Sequence, residues 1–231
     1  MKENRLPTEK EVRLISRRDA LTSVGVAMGA GLVGSSLLGI KNAHAADAKG
    51  KRISIVTGSP HKHGASFLLA DNFTEGAKKV GASVYRFDAA FKRVTPCSGC
   101  DRCGLGGADC VYRDDMMELN PHLIEADLIV LCTPLYYFGF SAQLKLVIDR
   151  FYAINSQLHV AKEAVLLAAA WNSSPETFPA LAHHYERLCD YMGWKNVGEI
   201  LGTGCGTRSM CESSEFPDAA FELGRRVGAR S

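Results

Sequence analysis

Short apolar runs of strand type alternate with amphipathic helical segments from residue 52 to residue 227. Each step from one run to the next is long enough for a helical crossover, which parallel strands need and a tight hairpin does not. The run Asp127–Cys132 is almost wholly apolar and predicts a central strand buried on both faces. The alternation therefore predicts an α/β domain, a doubly wound five-stranded parallel sheet with helices on both faces.

The hydrophobic pattern also places the individual elements. The predicted strands are Arg52–Thr57, Ser83–Phe87, Asp127–Cys132, Ala164–Ala169 and Asn196–Gly202. The predicted helices are Ser66–Val80, one that begins near Asp114, Ala142–Ile154, one over 178–192, and Pro217–Val227. Five strands separated in this way predict a flavodoxin-like order, in which ligands bind beyond the carboxyl ends of the strands.

Residues 1–45 are predicted to be a leader, which leaves 46–231 as the folded domain. The Arg17-Arg18 pair precedes the apolar run Leu21–Ile40, and residues 43–45 form a small-x-small site for a signal peptidase. This pattern resembles a twin-arginine export signal, which implies recognition by the twin-arginine translocase, cleavage after that site and a periplasmic location. A membrane anchor is the alternative, although five glycines make the run poorly apolar.

The charge of the chain argues against nucleic acid and anionic membrane surfaces as partners. The whole chain carries 27 Lys and Arg against 25 Asp and Glu, and the leader holds seven of the basic and four of the acidic residues. The remaining domain is therefore close to neutral and lacks the positive excess that phosphate backbones attract.

The loop Gly58–Ser66 connects the first predicted strand to the first predicted helix. The amino end of a helix presents unpaired backbone N–H groups and the positive end of its dipole, so this loop suits a phosphate. Gly64 lets the backbone approach the anion, and Ser59 and Ser66 offer hydroxyl donors. The spacing is neither G-x-x-x-x-G-K-[ST] nor G-x-G-x-x-G, which favours a single phosphomonoester. An ordinary turn with a serine N-cap is the alternative.

A second loop, Thr133–Gly139, directly follows the third predicted strand and carries Tyr136, Tyr137 and Phe138. In a flavodoxin-like order this loop lies at the topological switch point. Planar, partly polar side chains at that position suit the ring of a flavin. The alternative is that Tyr137 and Phe138 are core or subunit-interface aromatics.

Four cysteines fall within fourteen residues in the spacing C-x2-C-x2-C-x6-C. Four thiolates on a tight turn can ligate an iron–sulfur cluster, and glycines in the last gap let the chain fold back. The alternatives are a zinc site, a redox dithiol, disulfides, which an oxidising compartment favours, or an inert remnant. The four residues are Cys97, Cys100, Cys103 and Cys110.

The other cysteines receive simpler interpretations. Cys132 and Cys189 are predicted to be small buried hydrophobes. Cys205 and Cys211 are close enough in sequence to form a disulfide after export. Alternatively they approach the flavin, because the loop after the fifth strand lies at the same end of the sheet.

Three motifs together resemble the NADPH-dependent FMN reductase family of flavodoxin-like proteins. They are G-S-P-x-x-x-G-x-S at Gly58–Ser66, P-C-x-G-C-x-x-C followed by D-D-M within Pro96–Met116, and P-x-Y-x7-L-K-x3-D-R at Pro134–Arg150. The cysteine motif is more narrowly similar to that of the iron–sulfur flavoproteins of this family, which carry FMN and a 4Fe-4S cluster and usually oligomerise. The resemblance therefore implies FMN, a cluster on the four cysteines and a homo-oligomer.

The resemblance also implies roles for individual residues. The residues implied to hold the FMN phosphate are Ser59, His61, Gly64, Ala65 and Ser66. Those implied to line the ring are Pro134, Leu135, Tyr136 and Tyr137. His61 stands where the family often has arginine, and a neutral imidazole donates one hydrogen bond without a fixed charge, so FMN affinity is expected to depend on pH. The last third of the chain matches loosely, and further candidates there are Trp171, Asn172 and Gly204.

These features predict an exported FMN-dependent oxidoreductase that transfers electrons through its flavin to a small molecule or a protein carrier. No catalytic side chain is assigned, because hydride transfer to a flavin needs no acid–base pair. The electron donor is NAD(P)H or a quinol, and a quinol or another periplasmic carrier suits an exported protein better. The alternatives are an electron carrier without its own substrate and a non-catalytic protein stapled by disulfides on the same scaffold.

Overall fold

The computed structural model describes residues 50–104, 107 and 109–230. The predicted leader and its cleavage site lie outside these residues. Within the described part of the chain, no helix is both long and apolar enough to cross a membrane.

Five parallel strands form one sheet. They are β1 (Arg52–Thr57), β2 (Ser83–Asp88), β3 (Leu128–Pro134), β4 (Lys162–Ala169) and β5 (Trp194–Gly202). Their order across the sheet is β2-β1-β3-β4-β5, and every neighbouring pair is parallel. This is the flavodoxin-like order and confirms the predicted fold class. Because β1 lies between β2 and β3, the chain turns in opposite directions after β1 and after β3, which opens a crevice between those two loops.

Helices connect the strands and cover both faces of the sheet. They are α1 (Ala65–Lys79), α2 (Met116–Glu125), α3 (Ala142–Arg150), α4 (Asn155–Leu158), α5 (Pro179–Met192), α6 (Arg208–Glu212) and α7 (Phe216–Gly228). All the predicted strands and helices are present, with ends that differ by a few residues. The helix predicted over Ala142–Ile154 is α-helical only to Arg150 and continues as a 3₁₀ turn, Phe151–Ile154. The short helices α4 and α6 were not predicted.

The core consists of two layers, one on each face of the sheet. Successive side chains of a strand point to opposite faces. In β3, Ile129 and Leu131 pack in one layer, whereas Leu128, Val130 and Cys132 pack in the other, and all five are fully buried. The double burial confirms that this apolar run is a central strand.

Helices α1 and α7 approach each other closely enough for their backbones to touch. A Cβ atom on Gly76 would lie 2.0 Å from the carbonyl oxygen of Phe221, and one on Gly224 would lie 2.1 Å from that of Phe73. Only glycine fits at these two positions. The contact packs the carboxyl half of α1 directly against α7.

Candidate functional site

A cavity of about 780 Å³ opens at the carboxyl edge of the sheet, among the loops that follow β1, β3, β4 and β5. This volume lies within the usual range for cofactor pockets, roughly 300–1,000 Å³. Eight of the nine predicted flavin-site residues line the cavity, and Tyr137 is the exception. The complete lining is Ser59–Ser66, Pro134–Tyr136, Ala169, Trp171 and Cys205–Thr207.

The amino end of α1 forms one side of the cavity. Its N-cap residue is Gly64, and among the described residues no side chain caps its first turn. The serine N-cap of the alternative interpretation is therefore wrong, because Gly64 occupies that position. Ala65 and Ser66 line the cavity and begin the helix, so their amide groups are available to an anion.

The loop before α1 is shaped by its own hydrogen bonds. The amide of His61 donates to Ser59 Oγ at 3.2 Å, and the amide of Gly64 donates to the carbonyl oxygen of His61 at 3.0 Å. A Cβ atom on Gly64 would lie 3.1 Å from the Cβ of His61, so a larger residue would displace the loop. Ser59 and Ser66 are buried, while the His61 side chain is exposed. The loop curls tightly, as a site for one phosphate group requires.

The hairpin Pro134–Gly139 forms the opposite side. The amide of Leu135 donates to the carbonyl oxygen of Ala169 at 2.8 Å. Tyr137 and Phe138 have φ angles of 47° and 63°, in the left-handed region that bulky residues rarely adopt. Strain of this kind is concentrated at ligand-binding and other functional loops.

The aromatic side chains of this hairpin do not belong to the core. Tyr136 lines the cavity and is 43% exposed, whereas Tyr137 is 102% exposed and Phe138 is 58% exposed. The interpretation of Tyr137 and Phe138 as core aromatics is therefore wrong. The assignment of Tyr137 to the flavin ring remains a prediction, because Tyr137 is not among the residues that line the cavity.

The loop after β5, which the sequence placed near the site only as an alternative, contributes Cys205, Gly206 and Thr207 to the cavity lining. A Cβ atom on Gly206 would lie 2.2 Å from Cε3 of Trp171, so Trp171 packs directly on this glycine. Of the further candidates, Trp171 lines the cavity, whereas Asn172 and Gly204 join the two loops, because the Gly204 amide donates to the Asn172 carbonyl oxygen at 3.1 Å. The signal for Cys205–Thr207 was their position directly beyond a strand at the same edge.

A buried ion pair joins the residues on either side of the cysteine segment, which spans residues 96–113. Arg150 Nη1 lies 2.6 Å from Asp114 Oδ2, and each side chain is 3% exposed. The amide of Thr95 donates to Asp114 Oδ2 at 2.8 Å, and Arg150 Nη1 donates to the Thr95 carbonyl oxygen at 2.8 Å. Thr95 precedes the four cysteines and Asp114 follows them, so the pair ties both ends of the segment together. The sequence motifs contained these residues but gave them no role.

The same contacts set the ionisation of Asp114. Burial by itself raises the pKa of this carboxyl group, but the hydrogen bonds from Arg150 and from the amides of Thr95 and Met116 outweigh burial. The pKa of Asp114 is therefore held below its ordinary value, and the group stays charged at neutral pH.

The four clustered cysteines are free thiols that share one neighbourhood. Cys97 and Cys100 are exposed, while Cys103 and Cys110 are partly buried. Burial raises the pKa of Cys103, and the neighbouring thiols of Cys110, Cys100 and Cys97 raise it further. Within the described ranges, no group of three or more His, Cys, Asp or Glu side chains converges on a metal position. The donor chemistry fits a thiolate-bound cluster, but the side chains as placed do not close a cage.

Comparisons with known proteins identify the family of this chain. The family described as NADPH-dependent FMN reductase matches residues 51–200, more than half of the chain. An iron–sulfur flavoprotein of Archaeoglobus fulgidus is 30% identical over 151 residues, which are 64% of this chain and 67% of that protein. A putative NAD(P)H-dependent FMN-containing oxidoreductase of Bacillus subtilis, YwqN, is 24% identical over 187 residues, covering 77% of this chain and 99% of that protein.

Solved structures show the same fold. An NAD(P)H:quinone oxidoreductase from Methanothermobacter marburgensis aligns with a TM-score of 0.56 at 19% identity, covering 77% of this chain and 96% of that chain. A WrbA-like flavodoxin from Agrobacterium tumefaciens aligns with a TM-score of 0.54 at 18% identity, covering 77% of this chain and 94% of that chain. At such identities the likeness establishes the fold alone.

Proposed function

The chain belongs to the NADPH-dependent FMN reductase family, and we propose that it is an exported FMN-dependent oxidoreductase that also carries a 4Fe-4S cluster. The observation that carries the proposal is the cavity at the carboxyl edge of the sheet. It combines an uncapped helix amino end on one side with an aromatic hairpin on the other, and its lining includes eight residues chosen from sequence. FMN has the matching parts, a phosphate and a planar ring.

The two sides of the cavity would bind different parts of FMN. The amides of Ala65 and Ser66 and the hydroxyls of Ser59 and Ser66 would bind the phosphate, because they offer donors at the positive end of the α1 dipole. Pro134 and Tyr136 would contact the ring, with Pro134 held at the end of β3. When bound, FMN supplies the electron-accepting chemistry, and the protein binds, orients and shields it.

The cluster would be held by Cys97, Cys100, Cys103 and Cys110. Three facts support this ligand set: the thiol donors, their shared neighbourhood and the similarity to the iron–sulfur flavoprotein of Archaeoglobus fulgidus. Cys97 and Cys100 are exposed, so their side chains are free to move toward the other two. The Asp114–Arg150 pair would keep the two ends of the segment together while the cluster is inserted.

Export accounts for the leader and for the choice of electron donor. The twin-arginine pattern at Arg17-Arg18 would direct a folded chain with its cofactors to the periplasm. A quinol or a protein carrier would then replace NAD(P)H as the donor, and a second copy of the chain would complete a homo-oligomer.

The first test is an absorption spectrum of the anaerobically purified full-length protein, with iron and sulfide measured on the same sample. Flavin bands together with about four irons per chain are expected for one 4Fe-4S cluster. Flavin without iron would refute the cluster and leave the oxidoreductase. If the apo-protein does not quench the fluorescence of added FMN, the flavin assignment itself is wrong. The variant Cys103→Ser should lose iron and keep FMN, whereas Cys189→Ser, a buried thiol on α5, should keep both.

A second test addresses export and electron transfer. Replacing both Arg17 and Arg18 by lysine should leave the protein in the cytoplasmic fraction, while the unaltered chain appears in the periplasm. Turnover of a soluble quinone by the purified protein would support an oxidoreductase. Reduction of the protein without quinone turnover would indicate an electron carrier.

A further inference from the structure

Two further thiols lie in and directly behind the wall of the cofactor cavity. Cys205 follows β5 and lines the cavity, although only 2% of its surface is exposed. Cys211 lies in α6 and is fully buried. Both belong to the core layer that includes Leu69 and Phe73 of α1.

The turn between the two cysteines folds the chain back on itself. Thr207 caps α6, because its Oγ1 accepts from the amide of Met210 at 3.2 Å, and the amide of Cys211 donates to the Thr207 carbonyl oxygen at 3.1 Å. This turn places Cys211 close to Cys205, and the Ser214 hydroxyl contacts both residues. Burial, followed by the neighbouring Cys205 thiol, raises the pKa of Cys211 to about 12. Cys211 is therefore a protonated thiol at neutral pH.

Their surroundings favour a thiol pair. The Oγ of Ser214 lies 3.8 Å from the Sγ of Cys205 and donates to the carbonyl oxygen of Cys211 at 2.6 Å, so one hydroxyl touches both residues. A Cβ atom on Gly202 would lie 3.1 Å from the Sγ of Cys205, and the glycine therefore leaves room for this sulfur.

The remaining buried thiols lack these features. Cys132 donates to the carbonyl oxygen of Ser66 at 3.1 Å, which satisfies its hydrogen. Cys189 packs in the core layer on the other face of the sheet. Within the described residues, Cys205 and Cys211 are the neighbouring thiols that adjoin the cofactor cavity.

We propose that Cys205 and Cys211 form a reversible dithiol–disulfide couple that exchanges two electrons with the flavin in the adjoining cavity. This inference rests on the proposed binding of FMN. On oxidation the two S–H bonds break and one S–S bond forms, and the pair releases two electrons and two protons. Bound FMN would accept both electrons and both protons, and the reverse transfer would restore the dithiol. The couple gives the protein a store of two electrons that does not depend on the four clustered cysteines.

The test follows the flavin and the disulfide in one sample of the full chain. The protein is reduced, separated from the reductant without oxygen and mixed with oxidised FMN. FMN binding is measured first, by fluorescence quenching. The loss of the oxidised-flavin absorption band is then recorded, and free thiols are alkylated before digestion with trypsin. Arg208 lies between the two cysteines, so their peptides stay joined only through a disulfide.

Cys211→Ser is the test variant, because Cys211 does not line the cavity, and Cys189→Ser is the matched control. Wild type and Cys189→Ser should reduce about one FMN per chain more than Cys211→Ser, since the couple carries two electrons. The joined peptide should appear only in the first two proteins. Circular dichroism checks that each variant is folded.

The other outcomes separate this inference from the proposed function. FMN that binds without producing the joined peptide would overturn the couple and leave the oxidoreductase intact. A joined peptide that forms equally without FMN would show that the flavin is not the oxidant, which also overturns the inference. FMN that does not bind at all would overturn both.

Discussion

The substitution Asp114→Asn tests the buried ion pair at the base of the cysteine segment. Asparagine keeps the shape of the side chain but removes its charge, so the Arg150 guanidinium is left buried without a counter-ion. Both side chains are only 3% exposed, and the carboxylate accepts hydrogen bonds from Arg150 and from the amides of Thr95 and Met116. Breaking a buried pair in this way costs about 3–5 kcal/mol.

The expected loss of stability corresponds to a measurable decrease in the Tm. In a protein of this size about 1 kcal/mol shifts the Tm by about 2–4 °C, so Asp114→Asn should lower the Tm by roughly 6–20 °C. Thermal unfolding followed by circular dichroism is the assay. Glu222→Gln is the matched control. The side chains of Glu222 and its partner Arg225 are each 57% exposed, and because solvent screens such a pair, its loss should change the Tm little. A Tm for Asp114→Asn that stays within about 2 °C of the control would refute the reasoning.

The pH dependence of the Tm difference provides a second test of the same ion pair. The folded-state pKa of Asp114 lies below its unfolded value, which is about 3.9. Its stabilising contribution is therefore fully present above that value and is lost as the pH falls through the folded-state pKa. The difference in Tm between wild type and Asp114→Asn should be constant near neutral pH and should shrink below about pH 4. A difference that grows on acidification would contradict the assignment.

Four further substitutions test the cavity and the hairpin beside it. Ser59→Ala and Ser66→Ala should each weaken FMN binding, by about 1.5–3 kcal/mol if the hydroxyl donates to the charged phosphate, as measured by fluorescence titration; unchanged affinity in both would place the phosphate elsewhere. Gly206→Ala should displace Trp171, whose ring lies within 2.2 Å of the added Cβ, and should change tryptophan fluorescence and FMN affinity with little change in Tm. Tyr137→Gly should raise the Tm, because it relieves a left-handed backbone conformation that costs about 1–3 kcal/mol; a lower Tm would show that the tyrosine contributes more by its contacts than it costs by strain.

The strand and helix order followed from the sequence because it depends on patterns within single segments. The side chains of β3 from Leu128 to Cys132 are apolar on both faces of the sheet. Both faces of this strand therefore had to be covered by an apolar layer. The position of the loop Gly58–Ser66 followed equally, because a strand that leads through glycine into a helix places the amino end of that helix at the edge of the sheet. Ends of elements were less certain: β5 begins at Trp194 rather than Asn196, where pairing with β4 extends a segment of weak pattern.

Contacts between distant segments were decided only by the tertiary structure. The sequence showed Asp114 and Arg150 in separate motifs, and only the packing of α3 beside the cysteine segment joins them into a buried pair. Likewise Cys205 and the loop Gly58–Ser66 line one cavity only because β5 ends at the same edge of the sheet as β1, although they lie far apart in the sequence. The direction of Tyr137 was set by a strained hairpin that no local propensity favours. The periodicity of the sequence indicates which face of a helix or strand is buried. Only the packing of the sheet and its helices determines which elements cover that face and which side chains come into contact.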